Sequence, residues 1–259
     1  MSDETLHVKL EKLGVRLSET QLGKLIEEAT KQRWSAVQVL EAVAMAERRA
    51  RDAVNLANRT RHALLGIVTS IDRFDWAHPK SIDRGLFEQL FGLGFVAKGE
   101  NVLFRGDVGL GKTMLAQNLG TEALRKGHSV RFTTLAGMTA DILRQESLPA
   151  QTRRQNRYTR PDLLIIDELG YLPLDPRAAD ALYNVIAARH EKRSTIVTTN
   201  LAFKAWGTVF GEAGSLVALI DRFTQFLFVM DIEGESYRDP KRRKGAAQPT
   251  KPKPTSRKR

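Results

Sequence analysis

Residues 106–113 read GDVGLGKT (Gly106, Asp107, Val108, Gly109, Leu110, Gly111, Lys112, Thr113), and their setting decides the fold. The apolar run Val102-Leu103-Phe104 enters this octet, and the helix-forming segment MLAQNLGTEALRKG leaves it. GxxxxGK[ST] between a strand and a helix predicts a loop whose backbone N–H groups, with the helix N-terminus, surround phosphates; only small residues let the backbone approach so closely. Lys112 brings a point charge to that loop, and the Thr113 hydroxyl is suited to Mg²⁺. The candidate nucleotide-binding stretch therefore runs from Gly106 through Met114.

Working outward, short β-branched runs alternate with helical stretches: NVLFRG from Asn101, SVRFTT from Ser129, DLLIID from Asp162, STIVTT from Ser194 and FLFVMD from Phe226. Continuous apolar strands separated by helices predict an α/β fold with a five-stranded parallel sheet covered on both faces. No internal repeat is evident.

LLIIDELG, Leu163 to Gly170, ends one of these strands on two adjacent acids. Asp167 is placed to hold Mg²⁺ through water, and Glu168 to polarise an attacking water. An acid pair after an apolar run also starts many turns, but a phosphate loop upstream gives this pair a ligand. An acid at the second position fits ATPases that insert an extra strand between the loop strand and the acid strand, and STIVTTN is the expected insert. Its terminal Asn200 can bridge the γ-phosphate and the lytic water, or simply cap a turn or helix. Arg222, in SLVALIDRFTQF, can pair with Asp221 or Asp231, or reach a neighbouring subunit's γ-phosphate as an arginine finger; sequence order does not choose between these.

The N-terminal part is different in kind. Two capping-box pairs, Ser18 with Gln21 and Ser35 with Gln38, predict helices, the second running from about Ala36 to Leu65. That helix carries Arg48, Arg49, Arg51, Arg59 and Arg61, which read either as a solvated face or as a phosphate-contacting one. Gly66 and FDWAHPKS, around Pro79, mark a connector.

The chain has 259 residues, 42% of them hydrophobic, which supports one substantial domain and an appendage. No apolar run approaches the ~18 to 20 residues of a membrane span, and the N-terminus has no signal-type stretch. With no cysteine there are no disulfides or thiolate metal sites. The histidines, His7, His62, His78, His128 and His190, form no ligand spacing. The expectation is a cytoplasmic protein without a membrane partner. The net charge is +11, but Pro240 to Arg259 holds nine Lys or Arg and no acid, leaving 32 basic against 30 acidic side chains before it. This proline-bearing tail cannot form a core; it is either a solubilising end or an arm that grips a polyanion.

Taken in order, FDWAHPKSIDRGLFEQL, NVLFRGDVGLGKTMLAQNLG, LLIIDELGYLPLD, STIVTTNLAFKAWGTVFG, LIDRF and GESYR resemble the IstB-type transposition helper ATPases of bacterial insertion sequences, AAA+ proteins close to the DnaC and DnaI helicase loaders. The likeness runs from roughly Glu47 to Arg238. It implies an AAA+ ATPase core behind a small all-helical N-terminal domain, with ATP and Mg²⁺ as cofactors. It also implies a nucleoid-associated homo-oligomer with ATP at subunit interfaces, acting on duplex DNA with a partner transposase. The alternative under the same resemblance is a replicative helicase loader. By carry-over, Lys112 and Thr113 match the phosphate-loop pair and Asp167 and Glu168 the magnesium and catalytic acids. Asn200 matches the sensor, Arg222 the finger given in trans, and Arg238 of GESYR a second sensor. Met114 stands where many relatives have His, and Asp107 where Pro is usual; neither is one of the phosphate-contacting Gly, Lys and Thr. The expected organisation is a helical domain over residues 1–66, a connector over 67–100, the ATPase core over 101–239 and the basic tail over 240–259.

Overall fold

A computed structural model describes residues 5–170, 175–210 and 214–238. The basic tail from Pro240 and the YLPL of ELGYLPLD, residues 171–174, lie outside the described residues. Contacts divide the chain after His62 into two compact units.

The first unit is helical: α1 (Leu6–Lys12), α2 (Glu19–Gln32) and α3 (Ala36–Ala63). Both expected capping boxes form. The Ser18 N–H donates to Gln21 Oε1 at 2.9 Å while Gln21 N–H donates to Ser18 Oγ at 3.2 Å; Ser35 and Gln38 do the same at 2.8 and 3.3 Å. The short α1 was not expected as a separate helix, because Val8 rather than Glu or Gln stands three residues after its N-cap Thr5 and no capping box announces it. The apolar positions of α3 do not all turn inward: Val37 and Leu40 are 64% and 70% exposed, whereas Glu47 is buried. Glu47 accepts the Arg16 N–H at 2.6 Å and the Arg51 guanidinium at 2.5 Å, and the hydrogen bond from Arg51 holds its carboxyl below the ordinary range. Arg51 also donates to Gly14 O at 2.8 Å, so one of the five arginines is spent within its own unit.

The second unit contains α4 (Arg84–Phe91), α5 (Gly94–Lys98), β1 (Asn101–Gly106), α6 (Lys112–Arg125), β2 (Val130–Thr134), α7 (Leu135–Leu143), α8 (Leu148–Thr159), β3 (Leu163–Leu169), α9 (Pro176–Arg189), β4 (Ser194–Thr199), α10 (Trp206–Phe210), α11 (Ser215–Thr224) and β5 (Leu227–Ile232). The sheet is parallel throughout, in the order β2-β3-β4-β1-β5. β4 therefore lies between the loop strand β1 and the acid strand β3, as expected from the acid pair. Val102 to Phe104, Leu163 to Ile166 and Ile196 are completely buried, which requires both faces to be covered.

One buried charge organises the start of the sheet. Arg189, at the end of α9, is 1% exposed and donates to Tyr158 O (2.9 Å), Pro161 O (2.7 Å), Thr195 Oγ1 (3.0 Å) and Ser194 O. Burial pulls its pKa down to about 9, so it remains charged at neutral pH. It ties the end of α8 and the beginnings of β3 and β4 together, and so fixes the strands whose far ends carry the candidate site.

Candidate functional site

The octet 106–113 turns at the C-terminal end of β1 and runs into α6, whose N-cap Gly111 has φ +84°. Gly106 and Gly109 adopt φ +155° and +86°. At each of these glycines a Cβ has no room: it would lie 2.2 Å from Ile232 O at Gly106, 2.0 Å from Ser236 Oγ at Gly109 and 2.7 Å from the Phe74 ring at Gly111. The small residues of the motif are thus required by packing behind the loop as well as by any phosphate before it. Leu110 is completely buried and anchors the loop, while Val108 and Asp107 face outward.

Lys112 Nζ donates to the loop's own carbonyls, Gly106 O and Asp107 O, both at 2.7 Å. Burial lowers the pKa of its ammonium, the negative charges of Asp167 and Asp107 oppose that, and Arg238 adds to it. The Thr113 hydroxyl lies 3.0 Å from both carboxylate oxygens of Asp167. Hard oxygen donors from two elements, β3 and α6, so converge at one point, a donor set that fits Mg²⁺. Gly109, Lys112, Thr113, Asp167, Glu168, Asn200 and Arg238 line one narrow cavity of about 50 Å³. Among the described residues no three His, Asp or Glu side chains cluster as a metal site of their own.

Gly109, Lys112, Thr113 and Arg238 also line a second cavity of about 390 Å³, walled otherwise by Arg73, Phe74, Met114, Gln117 and Tyr237. Besides Met114 and Gln117 of α6, the wall comes from two segments: FDW, expected as connector, and GESYR, of which only the arginine was expected at a site. They meet because Ser81 and Glu233 exchange backbone hydrogen bonds at 3.2 and 3.0 Å and Tyr237 Oη donates to Asp75 O at 2.9 Å. The Tyr237 N–H donates to Gly109 O at 3.1 Å, which lays GESYR directly on the phosphate loop and brings Arg238 to it. A larger cavity of about 500 Å³, lined by Phe74, Trp76, Phe87 and Phe91 among others, contains none of Lys112, Thr113, Asp167, Glu168, Asn200 and Arg238.

Arg222 is elsewhere. It lies on α11, and neither of its expected ion pairs forms: Asp231 is taken by Arg105 at 2.5 and 2.6 Å, and the Arg222 guanidinium stands over the Tyr183 ring of α9 at 5.3 Å. The adjacent Phe223 O accepts from Asn101, the first residue of β1, at 3.0 Å. At ~3.3 Å per residue, roughly 16 Å of strand separate that end of β1 from Gly106. Arg222 therefore cannot reach the cavity of its own chain.

Residues 8–245 match the family of IstB-like ATP binding proteins. The chain is 34% identical, over 92% of its length and 90% of the relative's, to a protein named for ATP binding in insertion sequence IS21 of Pseudomonas aeruginosa. It is 32% identical, over 92% and 95%, to a protein so named in IS232 of Bacillus thuringiensis subsp. berliner. Among solved structures the fold is similar to DnaI (TM-score 0.54, 16% identity, 63% of this chain and 90% of that one). It is also similar to the replication initiator DnaA bound to AMPPCP and single-stranded DNA (TM-score 0.51, 17% identity, 63% and 52%).

Proposed function

Because the chain belongs to the IstB-like ATP-binding proteins, with an AAA+ fold, we propose that it is a Mg²⁺-dependent, DNA-stimulated ATPase that oligomerises on duplex DNA and assists a partner transposase in choosing its target. The observation that carries this reading is the convergence of Lys112, Thr113, Asp167, Glu168, Asn200 and Arg238 on one cavity at the C-terminal ends of parallel strands, where open α/β sheets bind ligands.

In this reading the loop N–H groups and the start of α6 cradle the β- and γ-phosphates, and Lys112 exchanges its two loop carbonyls for phosphate oxygens. Thr113 and Asp167 hold Mg²⁺, which would neutralise phosphate charge. Glu168 polarises the attacking water, Asn200 orients it against the γ-phosphate, and Arg238 senses that phosphate within the chain. The wider cavity takes the base and ribose, with Phe74 and Tyr237 as walls. Arg222, remote from its own cavity, completes the site of a neighbour, so hydrolysis requires assembly.

DNA contacts are mainly to phosphates, and sequence preference is weak. The tail and the arginines of α3 contribute, as does α8. Arg153 and Arg157 there and Arg160 at its C-cap, spaced four and three residues apart, are exposed and make no ion pair among the described residues, while Arg154 turns to Asp141 at 3.5 Å. No helix among the described residues is long and apolar enough to cross a membrane; the proposed setting is the bacterial cytoplasm, on the nucleoid.

The test is ATP hydrolysis with and without duplex DNA, followed by capture of partners from the native host. Stimulation by DNA and recovery of a transposase support the reading. Absence of turnover overturns it, and recovery of a hexameric helicase instead assigns the chain as a helicase loader.

A further inference from the structure

In a regular strand successive side chains point to opposite faces, so Asp167 and Glu168 could not both serve one cavity. The pairing of β3 with β4 breaks where it must. Ile166 faces Val197 and Leu169 faces Thr199, so two residues, Asp167 and Glu168, stand opposite the single residue Thr198. This is a bulge, the device that re-aims a side chain beside a site. Its cost is visible at Glu168, which takes φ +62°, a left-handed conformation that residues with a side chain avoid. Something has to hold it there.

The Thr198 hydroxyl is the group placed to do so. It accepts the Glu168 N–H at 3.1 Å and donates to Asp167 Oδ1. One oxygen thus ties the backbone of the first acid's neighbour to the carboxylate of the first acid itself. Thr198 is 2% exposed and borders the cavity beside Asp167 and Glu168. The next residue secures the far side of the bulge: Thr199 Oγ1 donates to Leu169 O at 2.7 Å and accepts the Leu201 N–H at 3.0 Å. Asp167 is consequently oriented from two sides, by Thr198 of β4 and Thr113 of α6.

We propose that Thr198 is a positioning residue for the acid pair: its hydroxyl pins the bulge, so that Asp167 presents its carboxylate with Thr113 and Glu168 faces the cavity. The proposal rests on the reading of this cavity as a Mg²⁺–ATP site. Valine at this position keeps the shape but strands the Glu168 N–H and leaves the Asp167 carboxylate held by Thr113 alone; serine keeps the hydroxyl and loses only a methyl.

The experiment compares Thr198→Val and Thr198→Ser with the unaltered chain, titrating a fluorescent ATP analogue with EDTA and with Mg²⁺, and then measuring turnover. In Thr198→Val, binding in EDTA should stay at the wild-type level. Its gain on adding Mg²⁺ should shrink and kcat should fall about 10- to 100-fold, the range seen when groups orienting a metal ligand are removed. Thr198→Ser should restore both. Wild-type turnover and Mg²⁺ response in Thr198→Val would overturn the proposal. So would equal loss of EDTA binding and thermal stability in both variants, which marks a packing role alone. If the unaltered chain binds the analogue but does not hydrolyse ATP, the ATPase reading fails by itself, and the Mg²⁺ response of binding still decides the part played by Thr198.

Discussion

The guanidinium of Arg222 lies 5.3 Å from the centroid of the Tyr183 ring, stacked on α9 at the end of the sheet opposite its own phosphate loop. A cation held on an aromatic face is positioned without being neutralised, which suits a group meant for another molecule. Arg222→Ala is expected to bind ATP normally and to lose about 10³-fold or more in turnover. Glu168→Gln should also be inactive. Mixing the two should restore activity, because Glu168→Gln subunits lend their intact Arg222 to cavities that retain Glu168. Two inactive variants that stay inactive when mixed would exclude a finger shared between subunits.

On the proposed reading, Glu168 is the residue that separates binding from chemistry. It is exposed at the cavity while its neighbours Asp167 and Leu169 are buried, so glutamine there disturbs no packing. Glu168→Gln is expected to keep ATP affinity, to remain on DNA with ATP, and to turn over about 10²-fold or more slowly. Normal turnover in this variant would remove Glu168 from the mechanism.

The strands, their parallel direction and the insertion of β4 between β1 and β3 were legible in the sequence, because β-branched runs and an acid pair behind a phosphate loop constrain topology strongly. So were Lys112, Thr113, Asp167 and Glu168 as neighbours in one cavity. The cavity wall was not. Phe74 and Tyr237 are far apart in the chain and are brought together by the Ser81–Glu233 bridge and the Tyr237–Asp75 hydrogen bond, contacts with no periodicity to announce them. Thr198 was hidden differently: a threonine in a buried strand looks like an ordinary β-former until the register of Asp167 and Glu168 is known. The Arg222 ion pairs failed for a comparable reason, since Asp231 sits on β5 directly beside Arg105 of β1 and is taken by it.

Arg189 should be among the most sensitive positions for stability. Arg189→Met removes the donors to the Tyr158, Pro161 and Ser194 carbonyls, and each buried acceptor left unpaired costs about 1 to 3 kcal/mol. A loss of roughly 3 kcal/mol or more is expected in urea unfolding, with Arg189→Lys recovering only part because it lacks the planar fork. A midpoint unchanged from the parent chain would mean that the carbonyls are satisfied in another way.

Tyr158 gives a pH signature. Burial and its hydrogen bond to Asp141, at 2.8 Å, push its phenol up to about 12 from the usual 10. The folded state therefore holds this proton where the unfolded state releases it. The contribution is complete below pH 10 and is lost as pH rises towards 12. Tyr158→Phe should flatten the fall of stability across that window in denaturant titrations, and an equally steep fall would place the alkaline sensitivity in other groups.

The basic groups proposed to meet DNA can be counted by salt. Each phosphate neutralised changes the slope of log K against log salt by about −0.9. Ending the chain before Pro240 removes nine Lys or Arg, and replacing Arg153, Arg157 and Arg160 by Ala removes three from α8 and its C-cap. If α8 lies on the duplex backbone, the triple variant should flatten the slope by up to about 2.7 and weaken binding to all sequences alike. The truncated chain should show a larger change if the tail grips phosphates, and an unchanged slope if it only solubilises. Because the removals sit on separate elements, their effects on the slope should add. Loss of affinity for one sequence but not another would instead point to readout of base edges by these arginines.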